Sequence, residues 1–236
     1  MIRKLTAALV CAVVVLAAAF GFYVGDYYRA ERTVDDYLAS DSSVAVEETD
    51  YGWYLDGPSE EDALIFYPGA KVDEKAYIPL LYRFAEEGMD VCLVKMPFHL
   101  AFLGMNRAAD VMRQYAYTNW YIGGHSLGGA MAANFAADHG DGIRGLVLLA
   151  AYPTKKLPSD MIEILLYGSE DHVLRTEAVE EGRQYAPEEY CEYVIKGGNH
   201  AQFGSYGVQK GDGKASIPAE EQQKETVRLT MEALNK

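Results

Sequence analysis

The sequence predicts an α/β protein in which a mostly parallel central sheet carries helices on both faces. Three observations support this fold class. Short apolar runs alternate with longer segments of helical periodicity, a glycine-rich turn joins one apolar run directly to a helix, and about 200 residues follow the apolar N-terminus, enough for one sizeable core. Strands that alternate with helices pair in parallel, because each helix crosses back over the sheet.

The first half of the predicted domain begins with two strands and a buried third strand. Residues 43–48 and 53–56 flank a turn, and residues 63–67 are apolar throughout. The helix that follows ends near Gly88, a residue that favours the C-terminal cap of a helix, and Pro79 fits its first turn because that position needs no N–H donor. The next predicted elements are a strand over 90–94 and a helix over 107–115.

The second half continues the alternation. An apolar strand ending near Gly123 leads through a tight turn into a helix over 130–138, and an amphipathic helix that starts near Pro218 closes the chain. Between them, the predicted strands are 144–150, 161–167 and 190–195. The interval 151–160 is too short for a cap, so we predict no large cap domain. Phe98, Phe102 and Phe203 either line an acyl site or pack beneath loops.

The turn at residues 124–128 reads Gly-His-Ser-Leu-Gly, which is the G-x-S-x-G pattern of a nucleophile elbow. Its two glycines let the strand and the helix approach closely, so the hydroxyl of Ser126 stands clear of the sheet edge. A serine hydroxyl is a weak nucleophile near neutral pH and needs a positioned base. We predict that Ser126 is a catalytic nucleophile.

A base and an orienting acid are predicted in the loops after two later strands. Asp171 follows the strand 161–167, and His200 follows the strand 190–195. The order serine, acid, histidine at three successive strand ends is the order in which these partners accompany a nucleophile elbow. We assign Asp171 as the acid and His200 as the base. Glu170 is the alternative acid.

These residues resemble the α/β-hydrolase superfamily, and specifically its compact dienelactone-hydrolase-like group, the α/β-hydrolase fold-5 group. The resemblance runs from about Ala63 to the C-terminus, and its specific blocks are residues 64–70, 123–129 and 197–204. It implies the α/β-hydrolase fold, with serine where dienelactone hydrolases carry cysteine. It also implies two backbone donors for an oxyanion hole, the N–H of Ala70 and the N–H of Leu127.

Charge and residue spacing argue against several other functions. The formal net charge of −14 disfavours nucleic acid and anionic membrane surfaces as partners of the domain. No pair of histidines has the spacing of a zinc site, and the cysteines are scattered. We therefore expect neither a metal nor a cofactor. The sequence does not predict an oligomeric state.

The N-terminus resembles a membrane anchor. Residues 5–24 are apolar almost without interruption, and a helix of that length matches the thickness of a bilayer core. Arg3 and Lys4 precede this stretch and favour a cytoplasmic N-terminus. The chain would then cross the cell membrane once, with the catalytic domain on the extracytoplasmic side. The alternative is a secreted enzyme, because residues 17–19 fit the cleavage site of a signal peptide.

These observations divide the chain into three parts. We predict a signal anchor or transmembrane helix over 1–25, a juxtamembrane stalk over 26–42 and the catalytic domain over 43–236. The predicted activity is a serine hydrolase that cleaves small-molecule carboxylic esters through an acyl-enzyme intermediate. Acyl transfer, or hydrolysis of thioesters or amides, would use the same residues. A catalytically silent binding module is the alternative from another class, and the complete set of Ser126, Asp171 and His200 argues against it.

Overall fold

One sheet of eight strands forms the centre of the computed structural model, which describes residues 2–38, 43–58 and 60–235. Its order is β1-β2-β4-β3-β5-β6-β7-β8, with antiparallel pairing from β1 to β4 and parallel pairing across the rest. The strands are β1 (Ala45–Thr49), β2 (Gly52–Asp56), β3 (Asp62–Tyr67), β4 (Asp90–Val94), β5 (Asn119–His125), β6 (Ile143–Leu149), β7 (Ile162–Gly168) and β8 (Glu189–Ile195). This pattern confirms the mostly parallel sheet that the alternation of elements predicted.

The strand order reverses at the centre of the sheet. The chain runs from β3 to β4 on one side and then returns to β5 on the other side of β3. Loops that leave β3 and β5 at their carboxyl ends therefore diverge, and the crevice between them is where open α/β sheets bind ligands. The topology alone thus places the turn after β5 and the loop after β3 at a binding position.

Helices cover both faces of the sheet. The six α-helices are α1 (Ile2–Gly25), α2 (Ile78–Glu86), α3 (Arg107–Met112), α4 (Leu127–His139), α5 (Thr176–Gly182) and α6 (Ala219–Leu234), counted over the described ranges. Side chains alternate between the two faces of a strand, so β3 directs Phe66 toward α2 and α6 and Ile65 toward α3, α4 and α5. Two apolar cores result, one on each face of the sheet.

Most predicted elements are confirmed to within two residues at each end, but α4 begins three residues earlier than predicted and α3 is shorter than predicted. It ends at Met112, whereas the pattern extended the helix to Tyr115. The reason is a tertiary contact. The hydroxyl of Tyr115 lies 2.9 Å from that of Tyr51, and its ring stacks on Tyr54 at 5.0 Å, both on the antiparallel side of the sheet. The chain must leave the helix to bring Tyr115 there.

The apolar N-terminal stretch forms helix α1, with exposed side chains such as Phe22, which is 84% exposed. Its last turns reach the catalytic domain, where the ring of Phe20 meets that of Phe98 at 5.3 Å between centroids. Within the described ranges, none of the helices combines the length and the apolar character needed to cross a membrane. The prediction of a transmembrane helix over 1–25 is therefore unsupported by the structure.

The segment predicted as a stalk packs against the domain over its described part. Tyr28 pairs with Val72 in a parallel bridge, and the N–H of Glu31 donates to the carbonyl of Ser205 at 2.8 Å. Residues 39–42, the end of this predicted segment, lie outside the described residues. The three-part division of the chain remains a prediction.

Candidate active site

Ser126 occupies a strained turn between β5 and α4. Its φ of 53° and ψ of −124° lie in a region that residues with a side chain rarely adopt, at a cost of about 1–3 kcal/mol. The surrounding sheet holds this geometry, because the N–H of Ser126 donates to the carbonyl of Leu149 on β6 at 2.9 Å and its carbonyl accepts from Ala130 at 3.0 Å. The serine is half-buried at the carboxyl edge of the sheet, as the elbow motif predicted.

Gly128 explains why the motif needs a small residue after the serine. A Cβ at this position would collide with the carbonyl oxygens of Tyr67 and Pro68. The first turn of α4 therefore lies directly against the loop that leaves β3. This close approach helps to bring Ser126 and the loop predicted to bind the oxyanion together.

His200 and Asp171 form a buried pair at the same edge of the sheet. The Nδ1 atom of His200 lies 2.8 Å from Oδ2 of Asp171, and the two side chains are only 2% and 1% exposed. Oδ1 of Asp171 accepts from the N–H groups of Val173 and Leu174, both at 2.8 Å. A carboxylate with these three donors is held rigidly, and it orients the imidazole so that Nε2 is the free nitrogen.

Glu170, the alternative acid, does not contact His200 in the structure. Its carboxylate accepts from the hydroxyl of Ser169 at 3.0 Å, while its backbone N–H donates to Gly198. The geometry therefore favours Asp171 as the partner of the histidine.

The Nε2 atom of His200 is buried and has no hydrogen-bond partner among the described residues. A hydrogen bond from Ser126 to this nitrogen is therefore not formed in the structure. Such bonds are often long in enzymes without substrate and shorten only in the substrate complex. The structure brings Asp171 and His200 together and places Ser126 at the same edge, and the catalytic roles of the three remain predictions.

The two predicted oxyanion donors lie on the facing elements. Ala70 follows β3 and Leu127 opens α4, and over the described residues neither N–H has a hydrogen-bond partner. The next residue, Lys71, is held at a φ of 57° because its N–H donates to His99 at 2.8 Å and its carbonyl accepts from Tyr28 at 2.7 Å. Two free backbone donors near a serine, one at a helix N-terminus, suit a developing negative charge.

Backbone strain is concentrated around this edge. Left-handed φ values at residues other than glycine occur on the loop after β3, on the loop after β4, at the elbow and at the end of β6. These residues are Lys71, Phe98, His99, Ser126 and Ala150. Strained positions persist only where the surrounding structure holds them, and they tend to cluster at functional sites.

Asp212 joins the two loops that carry Asp171 and His200, and this contact was not predicted from the sequence. Its Oδ2 accepts from the N–H of Ala201, next to His200, at 2.9 Å. Its Oδ1 accepts from the N–H of His172, next to Asp171, at 3.3 Å. One carboxylate thus ties together the chain neighbours of both members of the pair. No short motif marks such a residue, because its partners lie 11 and 40 residues away in the sequence.

Gln222 on α6 supports the loop that carries His200, and this contact too was not predicted. Its fully buried side chain accepts from the N–H of Asn199 at 2.9 Å and donates to the carbonyl of Asn199 at 2.8 Å. The residue before the base is therefore fixed at both backbone groups. A polar side chain in an otherwise amphipathic helix gives no sequence signal for this contact.

The three phenylalanines have different positions. Phe203 is fully buried and packs beside His125, with 5.6 Å between ring centroids. Phe98 and Phe102 are about half exposed on the loop after β4. Phe203 therefore belongs to the core and not to the surface of an acyl site.

Within the described ranges, no group of three or more histidine, cysteine, aspartate or glutamate residues is arranged to hold a metal ion.

Solved structures with this architecture come from several bacteria. The chain is similar to esterase 2 of Thermogutta terrifontis, with a TM-score of 0.57, 15% identity, and coverage of 84% of this chain and 95% of the other. It is similar to an esterase of M. tuberculosis, with a TM-score of 0.61, 12% identity, and coverage of 86% and 96%. A bacterial membrane phospholipase A gives a TM-score of 0.59 at 15% identity over 100% and 98%. These likenesses establish the fold.

Sequence comparison identifies the family. No curated protein matches the chain in sequence. A profile of the family described as "Alpha/beta hydrolase family" matches residues 63–224, a range that contains Ser126, Asp171 and His200. The match extends over more than half of the sequence, and the chain therefore belongs to the alpha/beta hydrolase family.

Proposed function

We propose that this hydrolase cleaves carboxylic esters with Ser126 as nucleophile, His200 as general base and Asp171 as the orienting acid. The observation that supports this proposal most directly is the buried hydrogen bond of 2.8 Å between His200 and Asp171, at the sheet edge that also carries the elbow. Two of the solved structures with this fold are named as esterases, which agrees with the choice of ester as substrate.

The reaction begins when Oγ of Ser126 attacks the ester carbonyl carbon while Nε2 of His200 takes the hydroxyl proton. The carbonyl π electrons move to the oxygen, and the N–H groups of Ala70 and Leu127 stabilise the resulting oxyanion. Asp171 holds the imidazole in position and stabilises its positive charge. Collapse of the tetrahedral intermediate breaks the bond to the alcohol oxygen, which receives the proton from His200 and leaves.

Water completes the cycle. His200 removes a proton from a water molecule as its oxygen attacks the acyl-enzyme, and the second tetrahedral intermediate collapses to release the carboxylic acid. The proton returns from His200 to Oγ of Ser126, so the enzyme is regenerated and the net reaction consumes one ester and one water. No other reactant is needed.

Serine labelling tests this proposal. The full chain is expected to react covalently with a fluorophosphonate and to hydrolyse short aryl esters, whereas Ser126→Ala should lose both properties. Ser159→Ala, at an exposed serine in the interval 151–160, is the matched control and should behave like the wild type. Equal hydrolysis by wild type and Ser126→Ala would contradict the proposal. Matched ester, thioester and amide substrates distinguish the ester assignment from its alternatives.

We further propose that the enzyme works on the outer side of a cell membrane, to which its N-terminal segment attaches it. Support comes from the apolar side chains that α1 exposes, among them Leu9, Val13 and Leu16, and from the basic residues that precede them in the sequence. The basic residues bear on the sidedness, and the exposed apolar side chains bear on the attachment.

A further inference from the structure

Two buried side chains, Tyr77 and His125, lie between the parts of the candidate site. Tyr77 ends the short helical turn Glu74–Tyr77 before α2 and is fully buried. His125 is the last residue of β5, directly before Ser126, and is 1% exposed. The Oη atom of Tyr77 and the Nδ1 atom of His125 are 2.8 Å apart.

The protons available to these groups favour one direction for this hydrogen bond. The N–H of Gly69 donates to Oη of Tyr77 at 3.0 Å. Burial raises the pKa of Tyr77, so its hydroxyl keeps its single proton, and that proton is available for Nδ1 of His125. In this direction His125 accepts at Nδ1 and carries its own proton on Nε2, which has no hydrogen-bond partner among the described residues. Burial, together with the nearby His200, lowers the pKa of His125 well below its ordinary value, which keeps the ring neutral.

Tyr77 reaches the oxyanion loop through the same hydroxyl. Gly69 directly precedes Ala70, the predicted oxyanion donor, and the bond to Tyr77 fixes the backbone at that point. A Cβ on Gly69 would lie 2.7 Å from Oη of Tyr77 and 2.9 Å from Nδ1 of His125. The loop thus packs on the tyrosine–histidine pair without room for a side chain. A shift of the pair moves the loop with it.

His125 also reaches the base. Its ring centroid lies 4.5 Å from that of His200, at an interplanar angle of 52°. The neutral ring of His125 limits the positions that His200 can adopt. It also adds no like charge when His200 takes a proton in the proposed reaction, whereas a second imidazolium at this distance in a buried site would oppose that step.

We propose that Tyr77 and His125 are positioning residues of the active site, which act as one hydrogen-bonded unit to fix the oxyanion loop and the ring of the base. This inference rests on the proposed function, since it assigns a role within the same reaction. Neither residue has to touch the reacting atoms.

The substitution Tyr77→Phe removes only the hydroxyl and tests the first half of the unit. It is expected to lower kcat for an aryl ester by about 10- to 100-fold, because a misplaced oxyanion donor costs transition-state stabilisation, while KM changes by less than about threefold. Tyr51→Phe is the matched control: it also removes a hydroxyl from a buried tyrosine, which stands between β1 and β2 and bonds to Tyr115 and Cys92 and not to the candidate site. We expect it to retain the wild-type kcat.

Two results would overturn the inference in different ways. If the wild type hydrolyses the ester in a manner that depends on Ser126, but Tyr77→Phe keeps the wild-type kcat, the positioning role is wrong and the proposed function stands. If no hydrolysis depends on Ser126, both the positioning role and the proposed function are wrong. A loss of kcat in Tyr51→Phe equal to that in Tyr77→Phe would show a general effect of buried hydroxyl loss and would also overturn the positioning role.

A spectroscopic test reads the protonation of His125 directly in the wild-type protein. Nitrogen-15 NMR of the histidine side chains should show one ring that stays neutral between about pH 5 and pH 9, with the proton on Nε2. The signal is assigned to His125 by its loss in His125→Asn. A His125 ring that carries its proton on Nδ1, or that gains a second proton within this range, would contradict the proposed hydrogen-bond direction and overturn the unit.

Discussion

The carboxylate of Asp171 accepts three hydrogen bonds, and one of them is the bond that orients His200. Replacement of Asp171 by alanine leaves the imidazole free to adopt the wrong tautomer or orientation, so kcat for ester hydrolysis should fall by about 10³-fold or more. Glu170→Ala is the matched control, since it removes the neighbouring carboxylate, and it should retain most of the activity. The reverse ranking in a steady-state assay would show that the acid is Glu170.

Glu163 is a second buried carboxyl group, on β7, without any place in the proposed mechanism. Both of its oxygen atoms lack a hydrogen-bond partner among the described residues, and the side chain is fully buried. Burial, with a smaller contribution from the charge of Glu192, raises the pKa of Glu163 to about 8, although Lys156 opposes the shift. The folded protein therefore holds a proton on this residue at pH values where the unfolded chain has lost it.

A pH dependence of stability follows from that raised pKa. Below about pH 4.5, the ordinary pKa of the group, Glu163 is protonated in both states and its contribution to stability is complete. Between about pH 4.5 and 8 the folded state binds more protons than the unfolded state, so the free energy of unfolding falls as the pH rises, by at most roughly 5 kcal/mol in total.

Substitution of this residue tests the prediction. Glu163→Gln removes the ionisation and should become more stable than the wild type as the pH rises from 5 to 8, with little difference at pH 5. The control is Glu189→Gln, at an exposed glutamate of β8. Urea unfolding at several pH values measures both variants, and a pH-independent difference between Glu163→Gln and the wild type would contradict the argument.

At the scale of elements, the carboxylate of Asp212 bonds to both the loop of Asp171 and the loop of His200. Asp212→Ala leaves the N–H groups of His172 and Ala201 without their acceptor, so kcat should fall by about 10-fold or more through loss of geometry. Asp212→Asn keeps one acceptor oxygen, so its kcat should lie between those of the wild type and Asp212→Ala. The exposed Asp141, in the turn after α4, provides the control Asp141→Ala. Equal activity of all four proteins would show that the loops hold their positions without this carboxylate.

The strands and the elbow were predictable because their signals are local. The apolar run before Ser126, the glycines around it and the helical pattern after it are adjacent in the sequence, and they formed β5, the turn and α4 as expected. Asp171 and His200 were placed from strand ends by the same reasoning. The buried bond between their side chains is the tertiary contact that this placement implied.

The residues that support the candidate site could not be predicted, because their signals are not local. Tyr77 and Asp212 act through contacts with residues that lie far away in the chain, and nothing in their own neighbourhoods marks them. The predicted end of α3 was wrong for the same reason, since a contact of Tyr115 with Tyr51 overrode a helical pattern. Sequence patterns locate elements and the motifs they carry, but they do not contain the long-range contacts that hold loops.

At the scale of the whole molecule, the chain combines an acidic domain with an exposed apolar segment. The net charge of −14 disfavours attraction to an anionic bilayer surface. Attachment by α1 would therefore depend on its apolar side chains, whose burial in lipid is worth about 25 cal/mol per Å². Because its C-terminal turns and the residues after it contact the catalytic domain, through Phe20 against Phe98 and Tyr28 against Val72, the active-site edge should lie close to the membrane.

Membrane attachment can be measured on the full-length protein. It should sediment with membranes after high-salt and carbonate washes, since the hydrophobic effect and not charge would retain it, and protease added to intact cells should reach the catalytic domain. A variant with Leu9, Val13 and Leu16 all changed to aspartate is the control and should move to the supernatant, because three charges on α1 oppose burial in lipid. A soluble mature protein that begins near Phe20 would instead show a cleaved signal peptide and a secreted enzyme. Retention on membranes together with full protection from external protease would contradict the proposed sidedness.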